Sequence, residues 1–197
     1  MNKIAITGVN KQDRMILTQA LSYLTGYDIV RQTTYSIQAI KYGWNNELIN
    51  CNRQELFLYA IASFTERIKT EQQCKQYISN GSVFNELADM EAIVDLFVCG
   101  KREKKEQQFM IAGMKRIITE YAVKEYDCTI HIRNDQKSNN ISLINIDNKL
   151  EELIENCEKV YRINKESVVT DILGKIILNP KVSPQSALER AKQDVVK

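Results

Sequence analysis

Apolar residues recur along this chain in two rhythms, short β-branched runs and longer stretches in which they return every three or four positions. The first run, residues 3–7, ends at Gly8 and is followed by Ile16, Leu17, Ala20, Leu21 and Leu24, which predicts strand, loop, helix. Gly26 is positioned to stop that helix, and residues 27–30 predict a second strand. A short helix is expected over 35–42. A long one is expected over 54–69, where Leu56, Leu58, Tyr59, Ile61, Ala62, Phe64 and Ile68 keep helical spacing. Residues 76–79 predict a strand, Asn80-Gly81-Ser82 a turn, and Phe84, Leu87, Ala88 and Ile93 a helix that Ser82 could cap. The mixed-charge run 101–106 opens a further helix through Met110, Met114, Ile118 and Tyr121 and reads as its solvated end. Then come a strand at 127–132, a helix at 150–157, a strand at 159–163 and a helix at 167–178, with the polar stretch 134–140 as a surface loop.

Strands that alternate with helices pair in parallel through right-handed crossovers, with helices on both faces of the sheet. The expected fold is therefore α/β, a three-layer doubly wound parallel sheet of about five strands. Its ligand site belongs at the carboxyl ends of the strands, near residues 8–14, 79–82 and 133 onward. The only prolines are Pro180 and Pro184. They divide residues 1–180, the α/β domain, from a helical tail at 181–197, whose Ala187, Leu188, Ala191 and Val195 form an apolar stripe. That stripe is expected to dock on the domain or on another subunit, so a homodimer or a protein partner remains open.

With 197 residues, 44% hydrophobic and 26% charged, the chain can bury a core of its own. A formal net charge of +2 argues against nucleic acid as a partner, since such binders concentrate basic residues on one face. Cys51, Cys74, Cys99, Cys128 and Cys157 are odd in number and lack C-x-x-C spacing, so they read as buried reduced thiols rather than zinc or redox ligands. No leader or membrane span is apparent, and a cytoplasmic location is expected. His131 stands in an expected strand and reads as a packed histidine.

A strand feeding a glycine loop and then a helix can cradle phosphate on backbone N–H groups. Set against G-x-x-x-x-G-K-[ST], residues 8–15 keep Gly8. Asp13 takes the second glycine's place, Arg14 the lysine's and Met15 that of the magnesium-binding hydroxyl. Met15 offers no oxygen to a hard cation and Asp13 brings negative charge, so Mg²⁺ binding is disfavoured. Lys11 and Arg14 are the candidate phosphate contacts, against a solvated loop whose helix Asp13 would cap.

The succession of residues 4–8, 17–24 and 77–88 resembles the P-loop nucleoside and nucleotide kinases, in particular those that include nicotinamide riboside kinase domains. Residues 126–130 and 150–169 extend the likeness over roughly the first 178 positions. The resemblance implies a nucleotide-kinase-like P-loop fold, ATP as cofactor and a nucleotide or other phosphorylated small molecule as ligand. Gly8, Lys11, Arg14 and Arg133 would then hold phosphate, with Asn80 and Ser82 beside the acceptor. The family's acid after the third strand falls on Asn80, and its arginine-rich lid is reduced to Arg133 and Lys137. Asp28, Glu86, Asp89 and Glu91 are the carboxylates near enough in sequence to stand in, although the last three read as surface charges. These departures favour a degenerate relative that binds a nucleotide or a partner without turnover. The alternative is an active nucleoside or nucleotide kinase with a non-standard loop. No catalytic base and no metal ligand is assigned.

Overall fold

Among the described residues eleven elements follow the expected alternation: β1 (Lys3–Gly8), α1 (Lys11–Thr25), β2 (Asp28–Arg31), α2 (Arg53–Gln73), β3 (Tyr77–Asn80), α3 (Val83–Phe97), α4 (Lys101–Glu125), β4 (Cys128–Ile132), α5 (Ile141–Ile154), β5 (Val160–Ile163) and α6 (Pro184–Val196). The computed structural model describes residues 2–31, 53–97, 101–134, 141–155, 157–163 and 182–196. The helices expected over 35–42 and 167–178, together with Cys51 and Cys99, lie outside these.

The sheet order is β2-β3-β1-β4-β5, and every pair is parallel. Side chains of successive strand residues leave opposite faces, so a buried parallel strand must be apolar on both. β1 shows this directly. Ile4 and Ile6 pack with Leu17, Leu21 and Leu24 of α1, while Ala5 packs on the other face with Phe64, Phe84 and Leu87 of α2 and α3. Ile118 of α4 and Leu150 of α5 complete that second layer.

The carboxyl-terminal helix α6 joins the α1 face, where Ala187, Leu188 and Ala191 are buried in the same cluster as Leu17 and Leu21. Arg190 lies 4.4 Å over the Tyr23 ring, and Tyr23 donates a hydrogen bond to Asp194. The apolar stripe of α6 is thus covered by its own domain.

Two helix starts differ from expectation. α5 begins at Ile141 rather than at 150, because Asp147, Asn148 and Lys149, which look like loop residues in a row, fall around a helix whose inward face is carried by Leu150 and Leu153. α1 begins at Lys11, ahead of Asp13, the residue expected to cap it. Among the cysteines, Cys128 is buried, but Cys74 and Cys157 are only partly so, and all three are free thiols.

Candidate functional site

β1 ends at Gly8 with φ +143°, and a Cβ there would stand 2.6 Å from the carbonyl oxygen of Ile132 on β4. Glycine is required at this point, where the strands converge on the chain's turn into α1. Only Val9 and Asn10 separate Gly8 from the helix. Asn10, not Asp13, is the N-cap: its Oδ1 accepts from the backbone N–H of Gln12 at 3.0 Å and of Asp13 at 3.3 Å. The expected eight-residue phosphate loop is therefore a two-residue connection. The amides that would have faced an anion already have a side-chain acceptor.

Arg14 turns inward. It is 7% exposed, and its Nη1 donates to the carbonyl oxygen of Gly8, which also accepts from Asn85 Nδ2 at 3.0 Å. Burial lowers the pKa of this guanidinium, a trend that Asp89 and Glu86 oppose and Arg67 reinforces. Lys11, in contrast, is exposed in the first turn of α1.

At the neighbouring strand end the turn from β3 to α3 is held from below by Arg67 of α2. Its Nη1 donates to Ser79 Oγ at 2.8 Å and to the Gly81 carbonyl at 2.7 Å, and its Nη2 to the Asn80 carbonyl at 3.4 Å. The same guanidinium pairs with Glu86 at 2.9 Å, both side chains almost fully buried. Glu86 also accepts from Ser63 Oγ at 2.7 Å. Glu71, 0% exposed, accepts from Ser79 Oγ at 2.5 Å, Tyr121 at 2.8 Å and Tyr126 at 3.1 Å. Burial pushes the Glu71 carboxyl up, opposed by Arg67 and these three hydroxyls. Burial also works against the charge of Arg67, but Glu86 and Glu71 outweigh it and raise its pKa. Arg67 thus meets two buried carboxylates.

Ser82 is fully buried and caps α3, its Oγ accepting from Phe84 N at 3.1 Å while Asn85 Oδ1 accepts from Ser82 N at 3.1 Å. Asn80 is half-buried. Of the carboxylates considered from sequence, Glu86 is a buried partner rather than a surface charge. Asp28 and Asp89 are exposed, and Glu91 pairs with Lys149 at 3.6 Å.

On the other side of β1, Arg133 leaves the end of β4 and its Nε donates to Glu151 at 2.6 Å. Glu151 also binds Arg162 at 2.8 Å, and these two arginines help hold its carboxyl below the ordinary range against burial. His131 lies beneath this cluster at 0% exposure, its Nε2 3.6 Å from Asp147 and 3.5 Å from Glu151. Among the described residues neither ring nitrogen has a hydrogen-bond partner, nor has Thr7 Oγ1, which stands on the strand position paired with His131. Burial lowers the His131 pKa, with Arg133 and Arg162 adding to it and Asp147 and Glu151 opposing. A folded pKa below the unfolded value of about 6.5 contributes stability that is present above that pH and lost as pH falls through the folded value. His131→Asn is expected to flatten this part of the acid limb, read from urea midpoints between about pH 7 and pH 5. An unchanged limb would show that His131 does not contribute to it.

The structure brings Gly8, Lys11, Arg14, Asn80, Ser82 and Arg133 to one edge of the sheet. Arg14 and Ser82, however, are committed to internal hydrogen bonds there. Arg67, Glu71 and Tyr126 escaped the sequence reading. The signal was nonetheless present: positions 60, 64, 67 and 71 form one helical stripe, so Arg67 and Glu71 continue the inward face of Ala60 and Phe64. No cluster of three or more His, Cys, Asp or Glu able to hold a metal ion occurs among the described residues, and no helix there is long and apolar enough to cross a membrane. A cavity of about 200 Å³, lined by Lys124, Asp127, Thr129, Cys157 and Lys159, lies at the opposite, amino-terminal edge of β4.

Solved structures of similar fold include those of a deoxyadenosine kinase from M. mycoides. The form with bound dATP matches with a TM-score of 0.63 at 13% identity, over 89% of this chain and 99% of the other. The forms with bound dCTP and with the products dCMP and a flexible dCDP give TM-scores of 0.56 and 0.53 at 14% identity. They cover 88% and 98% of this chain, and 98% of the other in each case. The chain has the P-loop nucleoside-kinase fold. At this identity the likeness is one of fold. No family model matches the sequence, and no curated protein matches it either.

Proposed function

We propose that this chain is a non-catalytic protein of nucleoside-kinase fold that binds a nucleotide or another phosphorylated small molecule, or a protein partner, without transferring a phosphoryl group. The observation that carries this reading is the closed start of α1. Arg14, in the place of the phosphate-loop lysine, is turned onto the Gly8 carbonyl, and the first helical amides are capped by Asn10. The residues present fit Mg-ATP poorly. Met15 supplies no oxygen for the metal, the turn after β3 supplies Asn80 where a carboxylate would be needed, and the buried cations Arg14 and Arg67 are balanced by Glu71 and Glu86. A phosphorylated ligand would have to be held from solvent by Lys11 and the partly exposed Arg133.

The test is a thermal-shift screen against ATP, GTP, nucleoside mono- and diphosphates and dinucleotides, each with and without Mg²⁺, beside a phosphoryl-transfer assay on the same panel. We expect no turnover and a nucleotide shift that does not depend on Mg²⁺ and weakens in Lys11→Ala. A ligand at 100 times its dissociation constant stabilises by about 2.7 kcal/mol, so such a shift is measurable. Mg²⁺-dependent turnover would overturn the proposal. The second reading, an active ATP-dependent nucleoside or nucleotide kinase, draws on the fold likeness and on Arg14 Nε, which has no hydrogen-bond partner among the described residues. It requires Arg14 to leave Gly8, and Mg²⁺-dependent turnover by the parent chain that Arg14→Ala abolishes while Arg14→Lys retains part of it would support it.

A further inference from the structure

Ile130 of β4 packs against α1, so its neighbour His131 leaves the sheet on the opposite face, the one covered by α5. Thr7 of β1 and Arg162 of β5 hold the positions paired with His131, which sets the three side chains in one row. Over that row lie Asp147 and Glu151, one turn apart on α5, at 3.6 Å and 3.5 Å from His131 Nε2. Those separations are too long for good hydrogen bonds. Thr7 Oγ1, Asp147 Oδ1 and both ring nitrogens have no partner among the described residues, whereas a buried polar group ordinarily has one. A proton on His131 would supply part of what is missing, since imidazolium donates from both nitrogens and attracts both carboxylates.

That proton would also change the balance of charge. Asp147 and Glu151 stand against Arg133 beyond β4 and Arg162 on β5, two negative groups facing two positive ones, so the cluster is neutral while the ring is neutral. Protonation leaves one positive charge over. His131 is 0% exposed, and its charge cannot be screened directly by water. Arg133 is the outlet: its side chain is 42% exposed, its Nε is given to Glu151, and its Nη nitrogens can reach an anion.

We propose that anion binding by Arg133 at the carboxyl end of β4 is coupled to protonation of His131, so that a phosphate-type ligand is held more tightly as pH falls. The coupling rests on the proposed function, in which Arg133 holds a phosphorylated ligand. Burial disfavours the charged ring, as do Arg133 and Arg162, while Asp147 and Glu151 favour it; a bound anion adds to the favourable side. By linkage the two events act equally on each other. An anion held about tenfold more tightly by the protonated form raises the His131 midpoint by about one pH unit.

His131 is the only histidine, so its ring signals in an NMR pH titration are unambiguous. Sulfate is the probe, because it keeps its charge where a phosphate ester gains a proton near pH ~6, and sodium chloride holds the ionic strength constant. In the parent chain sulfate is expected to raise the His131 midpoint by about one unit, and to bind about tenfold more tightly at the acid end of the titration than at about pH 7.5. Arg133→Gln should leave a histidine that titrates but ignores sulfate. His131→Asn should bind sulfate with little dependence on pH. The coupling is overturned by a ring that stays neutral until the protein unfolds in acid, by a midpoint that sulfate does not move, by an equal movement in Arg133→Gln, or by an equal pH dependence in His131→Asn. The midpoint is read on the parent chain, so an unstable variant cannot hide the result. If the Lys11-dependent nucleotide shift persists, such a result removes the coupling alone; if that shift is absent as well, the phosphate-holding reading falls with it.

Discussion

Arg67→Ala is expected to destabilise the protein by about 3–5 kcal/mol, measured by chemical denaturation. The side chain is buried and carries a positive charge in direct contact with both Glu86 and Glu71. Removing it takes a buried cation from both carboxylates, and it frees the carbonyls of Asn80 and Gly81 from this donor. A domain of this size has a total stability of about 5–15 kcal/mol, so the variant would sit near the folding threshold. The electrostatic origin of the loss can be separated from lost packing. Arg67→Met keeps much of the volume, and adding Glu86→Gln to it should recover a measurable part of the stability by removing one of the two buried charges that Arg67 faces. If the double change is no better than Arg67→Met alone, the guanidinium acts by shape and not by charge.

The second large effect is expected at Gly8. Gly8→Ala should cost about 2–4 kcal/mol, because a positive φ is strained for any L side chain and the new Cβ would press on the Ile132 carbonyl. Gly8 is a rung of the β1–β4 ladder, paired with Ile132, and its own carbonyl holds Arg14 and Asn85. Its displacement would therefore open the α1 start and the β3–α3 turn together. The same substitution at Gly113 is the control. That glycine lies within α4 with open space about it, so Gly113→Ala should leave the protein as stable or slightly more so. Equal losses at both positions would mean that the close approach at Gly8 is not what restricts it.

Both effects concern residues that the sequence presented unequally. Gly8 was legible, since a β-branched run that ends on glycine before a helical pattern marks a strand-to-helix turn. Arg67 was passed over although it keeps the inward spacing of Ala60 and Phe64, because a charged residue on an amphipathic helix is ordinarily assigned to solvent. Glu86 was assigned to the surface for the same reason. Each becomes tolerable in the core only because the other is there, and that pairing joins residues nineteen positions apart on two different helices. The start of α1 shows a related limit. A comparison with G-x-x-x-x-G-K-[ST] aligns residue types and is silent on where the helix begins, and the Asn10 side chain settles that by capping Gln12 and Asp13.

The sequence by itself determined the alternation of strands and helices, the parallel doubly wound class and the edge of the sheet at which Gly8, Asn80 and Arg133 meet. These follow from local periodicity and turn chemistry, which are written in neighbouring residues. Only the tertiary structure decided that Arg14 is spent on the Gly8 carbonyl, and that Arg67 and Glu86 form the floor beneath the turn after β3. Those outcomes depend on which groups are removed from water together. Burial makes an unpaired charge or donor too costly to leave, so partners distant in sequence are chosen by the fold and not by the order of the chain.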